Sequence, residues 1–315
     1  MRFLFVMDPV EKMLPDKDTS FAFMRGALAR GHECLHCLPK NVWNVGRDVF
    51  AWARPVRVSE RAPHTSVGAE ESVELAALGA VFIRKDPPFD GAYAHLTRQL
   101  DLVKDRVLVL NDPESIRDAN EKLYAFRFAE WMPRSLVSSR PKQLLDFVTD
   151  VGGKAVIKPL DGAGGSGVLA LGLEDRNARS IVDILTKEGE ELVLVQEYQP
   201  AVRIGDKRVL LLDGKPLGAI LRVPRADDLR ANIHVGGTVQ PTELSVGEQE
   251  LVNAVGPKLA AAGLFFVGLD LIGEKLIEVN VTSPTGIQEL GRHQGTKPEE
   301  RVIEWVERRA ASFLH

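Results

Sequence analysis

Short apolar runs alternate with longer segments of mixed polarity over the first 120 residues. Four of the runs predict β-strands, at residues 2–7, 33–38, 80–86 and 106–112. Segments of mixed polarity predict helices at 18–31 and 95–105, and Asp112 with Pro113 predicts the start of a further helix. Because strands and helices alternate, the pattern indicates a parallel sheet. Residues 40–72 show no clear period, and no element is predicted there.

Ligands usually bind such a sheet at the edge formed by the carboxyl ends of its strands. Asp8 and the run Arg84–Asp86 lie at ends of this kind. A nicotinamide-binding domain begins in a similar way, but it places Gly-x-Gly-x-x-Gly directly after the first strand. Residues 7–20 contain no glycine, and the sequence therefore excludes a dinucleotide-binding domain of that type.

From about residue 121 the pattern changes to hairpins interleaved with helices. Strands are predicted at 154–159, 167–172 and 192–198, and hairpins at 207–223 and 265–286. Helices are predicted at 120–132, 179–189, 246–262 and 298–312. Asp213 and Gly214 are typical of a tight turn in the first hairpin. The expected fold class is α/β and α+β, with an N-terminal parallel α/β domain followed by small mixed sheets.

A glycine-rich loop follows one predicted strand in this second part. Residues 158–167 include glycine at positions 162, 164, 165 and 167. Glycine lets the backbone approach phosphate oxygens closely and present its N–H groups to them. A P-loop would end in Gly-Lys-Ser/Thr and open a helix, whereas this loop leads into a strand. We therefore predict a hairpin flap over nucleotide phosphates, with Lys158 as a positive charge. A mobile surface hairpin with a solvated lysine is the alternative.

The hairpin near residue 274 is predicted to place acidic side chains on one face. With a three-residue loop at Gly273–Lys275, Asp270 lies opposite Glu278, and Asn280 follows on the same face. The opposite face is then filled by Leu269, Leu271, Ile277 and Val279. A shift of one residue would reverse every side chain and mix polar with apolar positions. Two carboxylates and an amide oxygen suit Mg²⁺, so a metal site is predicted, with a solvated sheet face as the alternative.

Composition and charge exclude two classes of partner. The 315-residue chain has a net charge of −4 and no long basic run, which argues against nucleic-acid binding. No segment approaches the ~18 apolar residues of a membrane span. The first apolar run is too short for the core of a signal peptide. We therefore expect a soluble cytoplasmic protein.

The two cysteines, Cys34 and Cys37, form a Cys-x-x-Cys pair with His32 and His36 close by. This spacing suggests a zinc or redox site. On a strand, however, Cys34 and His36 point to one face while Leu35 and Cys37 point to the other. We therefore expect a reduced pair with a structural role.

Motifs spread along most of the chain carry a family resemblance. The motifs are MDP, KDTSFA, RKDPPFD, NEKL, KPLDGAGGSG, GDKRVL and FVGLDLIGEKLIEVNVTSPTGIQE. In combination they resemble the bacterial glutathione synthetases of the ATP-grasp superfamily, and the last motif is long and specific. Residues 40–75 depart from the family's pattern, and residues 224–238 carry fewer glycines than its mobile loop.

The resemblance implies a domain organisation and a reaction. The implied domains are an N-terminal substrate-side domain at 1–120, an ATP-grasp lid subdomain with the glycine loop at 121–195, and a C-terminal ATP-grasp subdomain with the metal site at 196–315. In the implied reaction, ATP phosphorylates the cysteine carboxylate of γ-glutamylcysteine, and the amine of glycine attacks the acyl phosphate. The products are glutathione, ADP and phosphate.

The resemblance also implies roles for residues that match the family's motifs. The implied nucleotide-binding residues are Lys122, Lys158, Asp161, Gly162, Gly164, Gly165, Ser166, Gly167, Gln196, Glu197, Tyr198, Gln199 and Asp206. The implied substrate-binding residues are Asp18, Thr19, Ser20, Arg84, Lys85, Asp86, Ser283, Thr285 and Gly286. The implied ligands of Mg²⁺ or Mn²⁺ are Asp270, Glu278 and Asn280. The catalytic candidates are Arg208, Arg222, Arg230 and Asn232. Ordinary salt-bridged sheet residues are the alternative for Arg208 and Arg222.

Two alternatives remain open. Another ATP-grasp carboxylate–amine ligase, of the glutamate or D-alanine type, would share the fold but not the N-terminal KDTSFA and RKDPPFD motifs. A non-catalytic ATP-binding module would have lost metal ligands or phosphate-binding lysines, and here all are present. The expected partners are γ-glutamylcysteine, glycine and ATP, without nucleic acid or membrane. The sequence leaves open whether the chain forms a homo-oligomer.

Overall fold

The computed structural model describes residues 1–162, 164–225 and 237–313, which form three β-sheets with helices packed against them. The first sheet contains β1 (Arg2–Met7), β2 (Glu33–Cys37), β3 (Val42–Val45), β4 (Asp48–Val58), β5 (Thr65–Val67), β6 (Glu71–Glu74), β7 (Ala80–Arg84) and β8 (Leu108–Leu110). Its helices are α1 (Thr19–Ala29), α2 (Gly91–Asp101) and α3 (Pro113–Asp118). The strands β2, β1, β7 and β8 are neighbours in that order and run parallel, so the predicted parallel sheet is confirmed.

Capping residues start two of these helices where the sequence predicted. Asp18 accepts a hydrogen bond from the backbone N–H of Ser20 at 2.7 Å. Asp112 accepts one from the backbone N–H of Ser115 at 2.9 Å. Such caps satisfy backbone donors that have no partner within the helix. The segment that leads into α1 directly follows β1, so it begins at the carboxyl end of that strand.

The second sheet is antiparallel and carries the glycine loop. It contains β9 (Ser135–Ser138), β10 (Lys154–Pro159), β11 (Leu169–Gly172) and β12 (Val193–Glu197), in the order β11-β10-β12-β9, with α4 (Pro141–Asp150) and α5 (Ala178–Leu185). One apolar cluster is confined to this sheet and its two helices, and includes Leu144, Ile157, Val182 and Val193. Because β12 continues to Glu197, the predicted boundary at residue 195 falls inside a strand. The division into three domains remains a prediction.

The third sheet carries the acidic hairpin. It contains β13 (Asp206–Leu212), β14 (Lys215–Val223), β15 (Thr238–Pro241), β16 (Phe266–Ile272) and β17 (Lys275–Asn280), in the order β15-β14-β13-β16-β17. The helices that follow or cover it are α6 (Val246–Ala261), α7 (Ile287–Gln294) and α8 (Pro298–Ala310). Short 3-10 helices lie at Val10–Lys12, Pro39–Asn41, Leu75–Ala77, Tyr124–Trp131, Pro200–Arg203 and Ala311–Phe313.

The first and third sheets share their apolar cores and are joined by one buried amide. The side chain of Asn111, at the end of β8, donates to the carbonyls of Phe266 at 2.8 Å and Val281 at 2.9 Å. Its oxygen accepts the backbone N–H of Phe266 at 2.7 Å. Phe266 also meets Phe23 of α1 edge to face, with ring centroids 5.0 Å apart. These contacts fix the acidic hairpin relative to the carboxyl ends of β1 and β7.

Some predicted elements were wrong or missing. Residues 40–72, where no element was predicted, contain β3, β4 and β5 and the start of β6. The alternation of polar and apolar residues that would indicate β4 is obscured for two reasons. The apolar Trp52 lies on the outer face and is 47% exposed, and Pro55 lies within the strand. The predicted helix at 120–132 is instead the 3-10 segment Tyr124–Trp131, interrupted at Phe128 by non-helical backbone angles. The elements β9, α4, β15 and α7 were not predicted.

The two cysteines lie on opposite faces of the first sheet, so the predicted alternation is confirmed. Cys34 belongs to one apolar core, whereas Leu35 and Cys37 belong to the other. Burial raises the pKa of both thiols to about 12. In the part of the chain that the structure describes, no helix is both long and apolar enough to cross a membrane.

Candidate active site

A row of charged side chains crosses the third sheet. Arg208 on β13 lies opposite Asp270 on β16, and Asp270 lies opposite Glu278 on β17. On the other side of β13, Asp206 lies opposite Arg222 on β14. Side chains at paired positions share one face of a sheet. Residues singled out from separate motifs therefore come together on one surface.

Asp270 is held by two arginines. Arg208 donates from Nε to Oδ1 at 2.5 Å and from Nη2 to Oδ2 at 3.0 Å. Arg222 Nη2 lies 2.9 Å from Oδ2. Burial alone would raise the pKa of the Asp270 carboxyl, but the two guanidinium groups outweigh burial and hold the pKa below its ordinary value. Asp270 is therefore ionised and orients both arginines.

Arg208 can lie across β16 because residue 268 is glycine. A Cβ at Gly268 would lie 2.9 Å from Cδ of Arg208 and 3.1 Å from Cβ of Pro284. Contacts this short force atoms to move, so a larger residue would displace Arg208 from Asp270. Arg208 also donates from Nη1 to the carbonyl of Thr285 at 3.2 Å, which ties it to the loop after β17.

Asp206 and Arg222 form a second ion pair that retains unused hydrogen-bonding capacity. Arg222 Nη2 lies 2.5 Å from Oδ2 of Asp206. Oδ1 of Asp206 and Nε of Arg222 are buried without a hydrogen-bond partner among the described residues. Burial raises the pKa of Asp206 to about 6, against the opposing effect of Arg222. Buried polar atoms normally have partners, so these two mark a place that a ligand would complete.

The hairpin register differs from the prediction in one respect. The pairing of Asp270 with Glu278 is confirmed, but the loop has two residues, because Ile272 pairs with Lys275. A β-bulge at Ile277 adds the extra residue and restores the pairing. The bulge turns Ile277 into the cleft beside the sheet, and Leu276 takes the core position that was predicted for Ile277.

Lys122 and Lys158 reach the same cleft from different parts of the chain. Nζ of Lys122 donates to the carbonyl of Gly162 at 2.5 Å and lies 3.2 Å from Oε1 of Glu278. Nζ of Lys158 donates to Oε1 of Gln196 at 3.0 Å. Burial lowers the pKa of Lys158, and an anionic ligand would oppose that effect.

The cleft that these lysines face lies between the second and third sheets. The residues predicted to bind nucleotide that line it are Lys122, Lys158, Gly162, Gly164, Gly165, Gln196, Glu197, Tyr198, Gln199 and Asp206. Apolar walls are added by Val156, Ala170, Val202, Ile272 and Ile277. Three described residues of the predicted set, Asp161, Ser166 and Gly167, do not border it. A cleft with apolar walls and a few placed polar groups is typical of a cofactor or nucleotide site.

A second cavity opens where the first and third sheets meet. It is called the substrate cavity below, because residues predicted to bind substrate line it. Predicted residues that line it are Asp18, Ser20, Arg84, Asp86, Ser283, Thr285, Arg208, Arg222 and Asn280. Three other residues predicted to bind substrate do not border it: Thr19 is fully buried, Lys85 pairs with Asp8 at 3.6 Å, and Gly286 caps α7 with a φ of 115°. Glu278 borders both the cleft and this cavity. Glu278 therefore lies between the two cavities.

The side chains of the hairpin fit the ligand chemistry of a divalent cation. Asn280 donates from Nδ2 to the carbonyl of Gly268 at 3.2 Å, which leaves its amide oxygen for another partner. Glu278 lies two residues away on the same face, and Asp270 lies opposite it. The described residues hold no group of three or more His, Cys, Asp or Glu side chains placed to bind a metal. Two carboxylates and an amide oxygen suit a hard cation that takes its remaining ligands from phosphate and water.

Some residues predicted for the site lie outside the described residues, and two residues that border the site were not predicted. Arg230 and Asn232, predicted as catalytic, lie outside the described residues, as do positions 226–236 in general. Glu121 was not predicted, yet it borders the substrate cavity and accepts a hydrogen bond from Oγ1 of Thr282 at 2.9 Å. Glu289 was also missed and borders the same cavity. Glu121 lies in the motif NEKL, and Glu289 lies in the stretch TSPTGIQE. Their position within a family motif, rather than their residue type, could therefore have identified them.

Solved structures of ATP-grasp ligases share this fold. The chain is similar to the ATP-grasp ligase PsnB in complex with a precursor peptide and AMPPNP, with a TM-score of 0.63 and 17% identity over 98% of both chains. It is similar to D-cycloserine synthetase DcsG with a TM-score of 0.63 and 16% identity, over 97% of this chain and 100% of that chain. At these identities the similarity concerns the fold alone, which is that of an ATP-grasp ligase.

Family models and curated relatives then identify the family. The N-terminal domain of prokaryotic glutathione synthetase matches residues 1–117, and its ATP-grasp domain matches residues 121–295. The glutathione synthetase of Gloeobacter violaceus is 41% identical over 97% of this chain and 96% of the relative. That of Agrobacterium fabrum is 37% identical over 96% of this chain and 95% of the relative. The chain belongs to the prokaryotic glutathione synthetase family and is a ligase, so the resemblance carried by its motifs is confirmed.

Proposed function

We propose that this chain makes glutathione by joining γ-glutamylcysteine to glycine with ATP, through an acyl-phosphate intermediate. The observation that supports this most directly is the position of Glu278, which borders both the nucleotide cleft and the substrate cavity. Next to it lies the ion-paired set of Arg208, Asp270 and Arg222. The choice of substrates is supported by relatives that are named glutathione synthetases.

The first half-reaction is a phosphoryl transfer. An oxygen of the cysteine carboxylate attacks the γ-phosphorus of ATP, and ADP leaves. Lys122 and Lys158 bind phosphate oxygens, while the strand end at 196–199 lines the adenine and ribose. Positioning and neutralisation of charge account for most of the catalysis of such transfers. A divalent cation held by Asp270, Glu278 and Asn280 would supply further neutralisation at the phosphates.

The second half-reaction forms the amide bond. The neutral amine of glycine attacks the acyl carbon, the bond to the phosphate oxygen breaks, and inorganic phosphate leaves as the amine loses its proton to solvent. Arg208 and Arg222 are fixed by Asp270 before substrate binds, so they present positive charge to the tetrahedral oxyanion without reorganisation. No protein side chain is required as a nucleophile.

A measurement of ADP and phosphate release tests this proposal. Release should require ATP, a divalent metal salt, γ-glutamylcysteine and glycine together, and the product should have the mass of glutathione. Mg²⁺ and Mn²⁺ are compared in parallel, and other amines replace glycine to test the acceptor. Turnover with glutamate or D-alanine substrates but none with γ-glutamylcysteine would contradict the proposal. Binding of ATP without turnover on any of these substrates would favour a non-catalytic module.

A further inference from the structure

The outer edge of β17 is covered by Glu121, which comes from a distant part of the chain. β17 lies at the edge of the third sheet, so one side of its backbone pairs with no strand among the described residues. The carbonyl of Glu121 accepts a hydrogen bond from the backbone N–H of Val279 at 3.1 Å. The carboxylate oxygen Oε1 of Glu121 accepts from the backbone N–H of Val281 at 3.3 Å and from Oγ1 of Thr282 at 2.9 Å. Glu121 therefore supplies the backbone partners that a further strand would supply.

These bonds lie on both sides of Asn280, which is predicted to bind a divalent cation. Val279 precedes Asn280 and Val281 follows it, so Glu121 holds the residue on each side. The Asn280 side chain donates from Nδ2 to the carbonyl of Gly268 at 3.2 Å, which leaves its oxygen for another partner. The position of that oxygen therefore depends on how Glu121 holds the strand.

The segment that contains Glu121 also contacts the glycine loop and Glu278. Oδ1 of Asn120 accepts the backbone N–H of Lys122 at 3.1 Å, which closes a tight turn around Glu121. Nζ of Lys122 then donates to the carbonyl of Gly162 at 2.5 Å and lies 3.2 Å from Oε1 of Glu278. One turn therefore fixes both a lysine that is predicted to bind phosphate and the strand that is predicted to bind the metal.

We infer that Glu121 is a positioning residue, which holds β17 on both sides of Asn280 and thereby fixes the Asn280 amide oxygen on the face that it shares with Glu278. This inference rests on the proposed function, because it concerns the side chains that would hold the divalent cation. Residues that hold the ligands of a metal in place typically change its affinity by about 10- to 100-fold. We expect an effect of that size for Glu121.

Glu121 also borders the substrate cavity, so a direct contact with the peptide substrate is the competing role. The two roles predict different measurements. A positioning residue affects the binding of metal and nucleotide when no peptide substrate is present. A residue that only contacts the peptide substrate affects KM for that substrate and leaves metal binding unchanged.

The binding of Mn²⁺ together with a non-hydrolysable ATP analogue, measured by electron paramagnetic resonance without peptide substrate, tests the inference. Glu121→Ala removes the carboxylate, and Kd for Mn²⁺ should rise by about 10- to 100-fold. Glu121→Gln keeps an oxygen that can accept both hydrogen bonds, so its Kd should stay much closer to the wild-type value. A Gln variant as weak as the Ala variant would overturn the inference, because charge rather than position would then be required. Normal Mn²⁺ binding in Glu121→Ala, with a raised KM for γ-glutamylcysteine, would overturn it in favour of substrate contact.

Thr282→Val tests the same hydrogen bond from its other end. The change replaces only a hydroxyl by a methyl group, so it decides the question even if Glu121→Ala does not fold. Kd for Mn²⁺ should rise, but by less than in Glu121→Ala, because the bond from Val281 remains. In the double variant the two losses should not add, since the bond between the two side chains is already absent in Glu121→Ala. An unchanged Kd in Thr282→Val, or losses that add in full, would contradict the inference.

The matched control is Thr97→Val. Thr97 is fully buried on α2, and its Oγ1 donates to the carbonyl of Ala94 at 2.9 Å. Because Thr97 borders neither the nucleotide cleft nor the substrate cavity, Kd for Mn²⁺ should not change. A wild type that binds no Mn²⁺ with the ATP analogue would refute the metal site of the proposed function itself, whereas normal binding in both the wild type and Glu121→Ala would refute the positioning role alone.

Discussion

Arg208 and Asp270 face each other across β13 and β16, and Arg208 contacts both carboxylate oxygens, from Nε at 2.5 Å and from Nη2 at 3.0 Å. Bidentate pairs of this kind fix orientation as well as charge. Because Asp270 also contacts Arg222, one carboxylate sets the direction of both arginines. We infer that Asp270 contributes to catalysis as much by positioning the guanidinium groups of Arg208 and Arg222 as by binding a metal.

The first prediction tests this positioning by moving Arg208 without removing it. In Gly268→Ala, the new methyl group would lie 2.9 Å from Cδ of Arg208, so the guanidinium must shift. A misplacement of about 1 Å can cost ~100-fold in rate, and we expect turnover to fall by roughly that factor. The control is Gly91→Ala, because a Cβ at Gly91 meets nothing within 4 Å. Normal turnover in folded Gly268→Ala would show that the orientation of Arg208 is not required.

The second prediction concerns the burial of Lys158. Its hydrogen bond goes to the neutral side chain of Gln196, and burial disfavours its charge. Lys158→Met keeps the length but removes the charge, so the melting temperature without ligand should hold or rise. Saturation with ATP at a hundredfold excess over Kd stabilises a protein by about 2.7 kcal/mol, and this gain should shrink in the variant. A variant that melts early yet keeps the full gain would contradict the role of Lys158 in phosphate binding.

The same variant has a pH signature. The pKa of Lys158 is lower in the folded protein than its ordinary value of 10.5. Between the lowered value and 10.5 the unfolded chain binds more protons at this residue, so its contribution to stability rises with pH in that window. In the Lys158→Met variant, the free energy of unfolding should lack the part of its rise with pH that Lys158 contributes. Lys154→Met, an exposed position on the same strand, should keep it.

The acidic hairpin illustrates what sequence pattern could predict. The apolar positions of β16 and β17 were enough to pair Asp270 with Glu278, because any other pairing mixes polar with apolar side chains. The pattern could not distinguish a three-residue loop from a two-residue loop followed by a bulge. Both place the same two carboxylates together, and they differ only in whether Ile277 or Leu276 enters the core. Leu276 and Ile277 are both apolar, so residue type does not show which of them enters the core.

The parts of the site that sequence missed depend on contacts between distant segments. Glu289 borders the substrate cavity only because Gln288 and Arg292 dock α7 on the segment before α1. That docking joins residues at least 270 positions apart, as in the bond from Gln288 to Asp18, and no local period in the sequence indicates it. Arg84 and Lys158 were predicted because each lies at the end of a strand, where local pattern and function coincide, whereas Lys122 was implied only by the family motif NEKL.

The third prediction concerns the two cysteines. Burial raises the pKa of Cys34 and Cys37 to about 12, so at pH 8 the thiolate fraction in the folded protein is roughly one part in 10⁴. Iodoacetamide should therefore label neither residue in native buffer and both after denaturation. Cys34→Ser and Cys37→Ser should each lower the melting temperature, because a hydroxyl replaces a buried thiol, and leave turnover per folded molecule nearly normal. Stoichiometric zinc lost on either change would contradict the structural role.

The fourth prediction concerns Glu278, whose charge acts on several neighbours in the absence of ligand. Its Oε1 lies 3.2 Å from Nζ of Lys122. Burial raises the pKa of the nearby Glu121, and the charge of Glu278 raises it further. Glu278→Gln loses the attraction to Lys122 but also relieves the repulsion of Glu121. Because these effects oppose each other and the side chain is partly exposed, we expect the melting temperature without ligand to change little.

Turnover and ligand stabilisation should change much more in Glu278→Gln. Loss of one preorganised electrostatic element typically costs ~10²-fold or more in kcat, and we expect a fall of that size because Glu278 lies between the cleft and the substrate cavity. The stabilisation by ATP with a divalent metal should shrink, and a chelator should reduce it in the wild type but barely in the variant. Glu274→Gln, at the exposed turn of the same hairpin, keeps both cavities intact and should behave as the wild type. A purely structural Glu278 predicts the reverse pattern, with early melting, undiminished ligand stabilisation and normal turnover per folded molecule.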